Sequence, residues 1–379
     1  MSESRLFNSV TPGQFLIKRV ESIDLFKFLV LFFMIQGHLF RAYLLEPLRR
    51  TYAFQIHEVF HGMVAPGFLF SAGFAVFLSY FNKQEQYITL GKPFFKRIRR
   101  TLFLIWCGYW IHLPYLSLRK TIEVIHRKGI ADVLRVDILQ CIGVSVLIFT
   151  LIALLLKREK IIMAFSAVMT LLFFILPGAV HDGHIWYGID PYLNYNVSLF
   201  PLFPWAGFLF LGVVCAYLYT SLVKKELFFK ILFITGILFF PWYFVYSGPP
   251  GSKAELVLTG ILNKIGGVFL LICLAYWITN RFTGKLVSIM KKSAQESLFV
   301  YIIHLFIIFN SLGTRGLEVV FNNRLTVLEA LGLFLVIQFV VFLLSLLYHA
   351  VKTKHQPLWR VCFYIFWAVF LIIFIFKPY

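Results

Sequence analysis

RVESIDLFKFLVLFFMIQGHLFRAYLL (residues 19–45) carries two opposed signals. From Leu25 onward it is apolar and, at about 1.5 Å per residue, long enough to cross a hydrocarbon core of roughly 30 Å. Yet Asp24, Lys27, His38 and Arg41 interrupt it. At about 100° per residue these four fall within an arc of about 100°, a single stripe on one helix face. Asp24 and Lys27 are one turn apart, and His38 lies about 21 Å further along. An ionisable group inside a span is costly and turns toward protein or water, so each of the four is a candidate site residue. The plainer expectation is that Asp24 pairs with Lys27, Arg41 reaches for the interface and His38 bridges two helices.

The rest of the chain continues the pattern. Of its 379 residues, 60% are hydrophobic and 14% charged, against about 25% charged in a soluble domain. Apolar runs of span length recur near 23–45, 59–81, 101–117, 137–156, 161–180, 202–222, 228–246, 257–279, 296–312, 327–350 and 359–377. The expected fold is therefore all-α, a polytopic membrane bundle of about eleven helices forming one domain over residues 1–379. No internal repeat of the kind that marks many transporters stands out.

A net charge of +19 could serve nucleic acid, but the basic residues flank the apolar runs, as membrane insertion requires of cytoplasmic loops. Their distribution predicts a cytoplasmic N-terminus and an extracytoplasmic C-terminus, with no nucleic-acid partner. The loop 118–135, with Arg119, Lys120, Arg127, Lys128 and Arg135, is the exception, and could offer a surface to an anionic substrate. The five cysteines lie within apolar runs without metal-ligand spacing, and the N-terminal residues lack the pattern of a removable signal peptide. The segment HDGHIWYGIDPYLNYNVSLFP (181–201) has no Lys or Arg but many aromatics, which suits either a membrane interface or a sugar-binding platform.

Beyond the first span, His57, Glu58 and His61 stand at the mouth of the second, so with His38 three imidazoles and a carboxylate can converge at one site on the outer side. Histidine titrates near neutrality and serves as general acid or base. HEVFH (57–61) also matches the HExxH spacing of zinc proteases, which makes a membrane metalloprotease one competing reading. The run KPFFKRIRR (92–100) anchors a span on the cytoplasmic side. Its Arg97, Arg99 and Arg100 could in addition bind phosphate, because guanidinium groups grip phosphate oxygens in pairs.

Four pieces, RVESIDLFKFLVLFFMIQGH (19–38), APGFLFSAGFAVFLS (65–79), VDILQCIGVSVL (136–147) and FPLFPWAGFLFLGV (200–213), with ESLFVYIIH (296–304) as a fifth, resemble the catalytic domain of heparan-alpha-glucosaminide N-acetyltransferases and their bacterial relatives. That family sits within the wider group of transmembrane acyltransferases. Its R-x-x-S-x-D-x-x-R-G pattern is matched by Arg19, Ser22 and Asp24, whereas Lys27 and Phe28 replace Arg and Gly. The heparan branch carries an Asn where this chain has His38, and the acyltransferase-3 branch a His. The run at Arg97, Arg99 and Arg100 is similar to the arginine motif of that second branch.

The resemblance implies transfer of an acyl group, usually acetyl, from cytosolic acyl-CoA to a sugar amine or hydroxyl on the extracytoplasmic side of a cell membrane. On this expectation His38, helped by His57, Glu58 or His61, removes the acceptor proton. Asp24, Lys27, Arg97, Arg99 and Arg100 serve the donor's phosphate end, and no metal takes part. Membrane lipid and a glycan acceptor are the expected partners, and a homodimer is compatible. A transporter or flippase for an anionic or glycan-linked substrate is the competing class, separated by its independence of an acyl donor. Asp137, Lys264 and His304, polar residues in or beside other spans, are expected to serve helix packing.

Overall fold

The computed structural model describes residues 19–176, 189–194, 196–242, 253–282, 284–309, 311–312 and 315–377. Helices account for the fold: α1 (Glu21–Tyr43), α2 (Tyr52–His61), α3 (Val64–Phe81), α4 (Lys92–Ile111), α5 (Ile138–Leu156), α6 (Glu159–Ile175), α7 (Leu202–Ser221), α8 (Lys225–Phe239), α9 (Lys253–Arg281), α10 (Lys285–Gln295), α11 (Ser297–Ile308), α12 (Val327–Lys354) and α13 (Gln356–Phe376), with shorter turns between them. Among the described residues there is no strand, only a bridge between Leu44 and Leu325.

Among the described residues, seven helical stretches are long and apolar enough to cross a membrane: Glu21–Tyr43, Tyr52–Phe81, Ile138–Leu156, Leu202–Ser221, Leu258–Arg281, Val327–Lys354 and Gln356–Phe376. The expected count of about eleven is thus not confirmed by length and composition. The four other runs fall on α4, α6, α8 and α11. Helix α4 carries Lys92, Lys96, Arg97, Arg99 and Arg100 in its first half, while α6, α8 and α11 have only 17, 15 and 12 residues.

Helix α1 is the centre of the bundle. It packs on α3, α9, α10, α11 and α12, and 61% of its most apolar window is buried against 6% for α13. Apolar residues on every side of α1 suit that central position, and α13 turns most of its surface to lipid. Between lipid-embedded helices burial gains little, because hydrocarbon tails are as apolar as leucine, and close backbone packing does more. The crossing of α3 and α7 shows the device. A Cβ on Gly73 would overlap the carbonyl oxygen of Leu209, and one on Gly212 would overlap the carbonyl oxygen of Phe70.

Helices α2 and α3 form one span broken by a turn at Gly62 and Met63. Thr51 caps α2 by accepting from Phe54 N at 3.3 Å. Pro66, in the first turn of α3, has no N–H to continue the ladder across the break. The break brings the end of α2, and with it Glu58 and His61, against the second half of α1. The far end of α1 is fixed by Tyr43, whose hydroxyl donates to Ile308 O at 2.8 Å and whose carbonyl accepts from Leu325 N at 2.8 Å.

Candidate active site

A cavity of about 870 Å³ opens beside the second half of α1, lined among others by His38, Arg41, Glu58, His61, Asp137, Trp205, Asn263, Lys264 and Tyr301. Its volume is within the range of small-molecule sites, roughly 300–1,000 Å³. Seven helices contribute: α1, α2, α3, the starts of α5 and α7, α9 and α11, with segments between them. The stripe on α1 supplies His38 and Arg41 because both lie on the face turned toward α2 and α11.

His38 meets a partner from the far end of the sequence. Its Nδ1 stands 2.9 Å from Nε2 of His304, and the two rings stack with centroids 5.1 Å apart. His304 is fully buried, and its Nδ1 lies 3.0 Å from the carbonyl oxygen of Val300 one turn earlier in α11. On another side His61 meets the His38 ring edge-on at 5.5 Å. His61 reaches this place because α1 has a glycine there: a Cβ on Gly37 would occupy the His61 ring.

Asp137 forms a second centre in the same cavity. It caps α5, accepting from Ile138 N at 2.7 Å within a capping box completed by Gln140. Its Oδ2 also accepts from the Tyr301 hydroxyl at 2.9 Å and lies 2.9 Å from His112 Nε2. Asp137→Ala is expected to lower the melting temperature of the detergent-solubilised protein clearly. The cap contributes about 1 kcal/mol, and leaving the buried Tyr301 hydroxyl unpaired costs roughly 1–3 kcal/mol more. An unchanged melt would show that neither partner depends on this carboxylate.

Arg41 and Glu58 join α1 to α2 by a bidentate ion pair, with Nε donating at 3.0 and 2.8 Å to the two carboxylate oxygens. Arg41 therefore does not simply reach for the interface. His57 is not among the residues lining the cavity. Its Nε2 is 2.9 Å from Gln36 Oε1 and its ring stacks on Phe40 at 5.3 Å. The two imidazoles of HEVFH stand parallel, 6.2 Å apart, and parallel planes at that separation do not converge on one ion. No group of three or more His, Cys, Asp or Glu side chains is placed for a metal among the described residues.

The residues expected at the donor's phosphate end do not converge. Asp24 pairs with Arg19 through both carboxylate oxygens, the second at 2.9 Å, rather than with Lys27 as the one-turn spacing suggests. Lys27 is half-buried on the same face of α1. Arg97 turns inward, donating to Val76 O at 3.1 Å with its guanidinium 4.2 Å from the Tyr87 ring, while Arg99 and Arg100 are exposed. A step of about 100° per residue sets Arg97 and Arg99 on nearly opposite faces, so the three cannot form one phosphate cradle. None of these five lines the cavity. Of the aromatic segment 181–201, residues 181–188 and 195 lie outside the described residues, and Leu199 and Phe200 reach the cavity wall.

Asp137, Lys264 and His304, read from sequence as packing groups, are in or directly behind this site, with Tyr301 beside them. Their signal was an ionisable group in an apolar run, and in α11 a Tyr and a His three residues apart on one face. What sequence could not supply was the contact itself, since His38 and His304 are 266 positions apart.

Comparison with known proteins identifies the family of the chain. The model of the family described as heparan-alpha-glucosaminide N-acetyltransferase, catalytic, matches residues 19–248. No curated protein sequence matches the chain. The match includes α1 with His38, the HEVFH segment and Asp137, and stops before Lys264, Tyr301 and His304. By this match over more than half its length, the chain belongs to the heparan-alpha-glucosaminide N-acetyltransferase catalytic family.

Proposed function

We propose that the protein transfers an acyl group, acetyl in the simplest case, from acyl-CoA to an amine or hydroxyl of a sugar. The observation that carries this reading is His38, a potential base on the central helix, lining a ligand-sized cavity and hydrogen-bonded from behind by a buried His304. The family is one of transferases, and its general donor is acetyl-CoA. The acceptor's N–H or O–H attacks the thioester carbonyl as His38 takes the proton. The C–S bond breaks, and the thiolate leaves as the thiol after receiving that proton. A covalent acyl-histidine at the same side chain is the other route open to this residue, and ping-pong kinetics is its mark.

The donor is proposed to enter from the cytoplasmic side, with the N-terminus on that side, and the acceptor from the extracytoplasmic side. Lys27 lies about 16 Å from His38 along the axis of α1, a separation suited to a long donor with phosphates at one end and a thioester at the other. Lys27 is therefore the proposed phosphate contact, in place of the separated arginines. A transporter would also have use for a wide polar cavity with Lys264 and Asp137 in its wall. Donor dependence distinguishes the two.

Purified protein in nanodiscs is expected to bind acetyl-CoA saturably and to release free CoA thiol when an amino sugar is added. Lys27→Ala should weaken donor binding about tenfold or more, the range of one lost charge-assisted contact. Absence of binding by acetyl-CoA and by longer acyl-CoAs would overturn the proposal and favour transport.

A further inference from the structure

The chain of contacts from Val300 to His38 determines which nitrogen of His38 is free. A carbonyl oxygen can only accept, so the 3.0 Å contact with Val300 O places a proton on Nδ1 of His304. A neutral imidazole protonated there presents a bare Nε2. The Nδ1 of His38 stands 2.9 Å from that bare nitrogen and can bond to it only as a donor. Neutral His38 is then left with an unprotonated Nε2. That atom has no hydrogen-bond partner among the described residues, and His38 lines the cavity.

We propose that His304 is a positioning residue that holds His38 in the Nδ1–H tautomer and so leaves Nε2 as the base. The tautomer is a property of the resting protein, and its use in catalysis rests on the acyl-transfer reading above. In that reaction Nε2 takes the acceptor's proton, and the resulting imidazolium keeps its Nδ1–H on His304. As the C–S bond breaks, the proton on Nε2 passes to sulfur and neutral His38 is restored. Acceptor–H and thioester become acylated acceptor and thiol, with nothing left over.

One group near the pair offsets a cation forming at this point. The Tyr301 ring is edge-on to His304 with centroids 5.5 Å apart, and its hydroxyl donates to Asp137. That carboxylate is the nearby counter-charge behind the pair. On the remaining sides His38 meets His61 and Phe309 edge-on, each at 5.5 Å, and Arg41 follows one turn later with its charge matched by Glu58. A histidine serving only to fill space would not need both ring nitrogens engaged, one to its own helix and one to the stripe of α1.

The test compares His304→Phe, which keeps a ring of similar shape but no acceptor, with His304→Gln, whose amide oxygen can take the place of Nε2. Ring nitrogen-15 spectra of His38 are recorded alongside steady-state acetyl transfer, after size-exclusion chromatography confirms that each variant is folded. Expected are a bare Nε2 on His38 in wild type and in His304→Gln, and mixed tautomers in His304→Phe. The Phe variant should lose about 100-fold in kcat with little change in KM, and the Gln variant should recover most of it. A wild-type His38 protonated on Nε2, a Phe variant with normal kcat, or equal losses in both variants would overturn the proposal. If wild type transfers no acyl group but the spectra follow this pattern, the acyl-transfer reading fails and the role of His304 in fixing the tautomer stands.

Discussion

His38→Asn is expected to fold normally and to lose acyl transfer by about 10²–10⁴-fold, the usual contribution of a general base. Asparagine is the informative replacement because its amide nitrogen can stand near the position of Nδ1 and still donate to His304. The bond of 2.9 Å between α1 and α11 would then be retained while the base is lost. His38→Ala would instead leave the buried His304 Nε2 without a partner, at a cost of roughly 1–3 kcal/mol, and would confuse instability with lost chemistry. The measurement is single-turnover acetyl transfer together with acetyl-CoA binding, and binding should survive. Full activity in His38→Asn would show that the amide suffices, as expected if this chain works like the heparan branch with Asn at that position, and would remove His38 as base. Loss of binding together with turnover would instead assign His38 to donor recognition.

The largest effect on stability is expected at the crossing of α3 and α7. In Gly73→Val and Gly212→Val the new side chain overlaps carbonyl oxygens of the facing helix, at Leu209 and Phe70 respectively. A backbone atom has no rotamer by which to withdraw, so the two helices must part along their length. Overpacking that side chains can relieve costs about 1–3 kcal/mol, and a backbone collision belongs at or beyond the top of that range. Each variant should melt far below wild type in detergent or elute as aggregate. Gly332→Ala is the control. Nothing lies within 4 Å of its new Cβ, and replacing a helical glycine by alanine is worth up to about 1 kcal/mol in favour of the helix. Equal melting of Gly73→Val and wild type would mean that α3 and α7 are free to separate.

The site was legible in proportion to how local its signals are. His38 and Arg41 stand out as ionisable groups on one face of an apolar helix, HEVFH supplies Glu58 and His61 from the next span, and all four line one cavity. His57 belongs to the same motif but does not line the cavity, its Nε2 engaged by Gln36 and its Nδ1 3.4 Å from Glu58. The arginines of KPFFKRIRR were misleading for a related reason. Adjacent letters suggest one patch, whereas the helix distributes Arg97 inward and Arg99 and Arg100 outward.

Sequence by itself determined the solvent of this protein, its helical class and its family. Hydrocarbon leaves backbone groups no partner but their own helix, so long apolar runs have one outcome whatever their neighbours are. It also determined which face of α1 is polar, since that depends only on a fixed turn per residue. Tertiary structure alone decided which of the scattered polar residues meet. Asp137, Tyr301 and Lys264 join the cavity and His304 backs His38 because packing of α9 and α11 on α1, and of α5 on α3 and α7, closes gaps of up to 266 positions. Those contacts depend on where helices cross and how each is rotated. Crossing and rotation are set by small residues such as Gly37, Gly73 and Gly212 acting together with what faces them, and no single stretch of sequence contains both sides of such a contact.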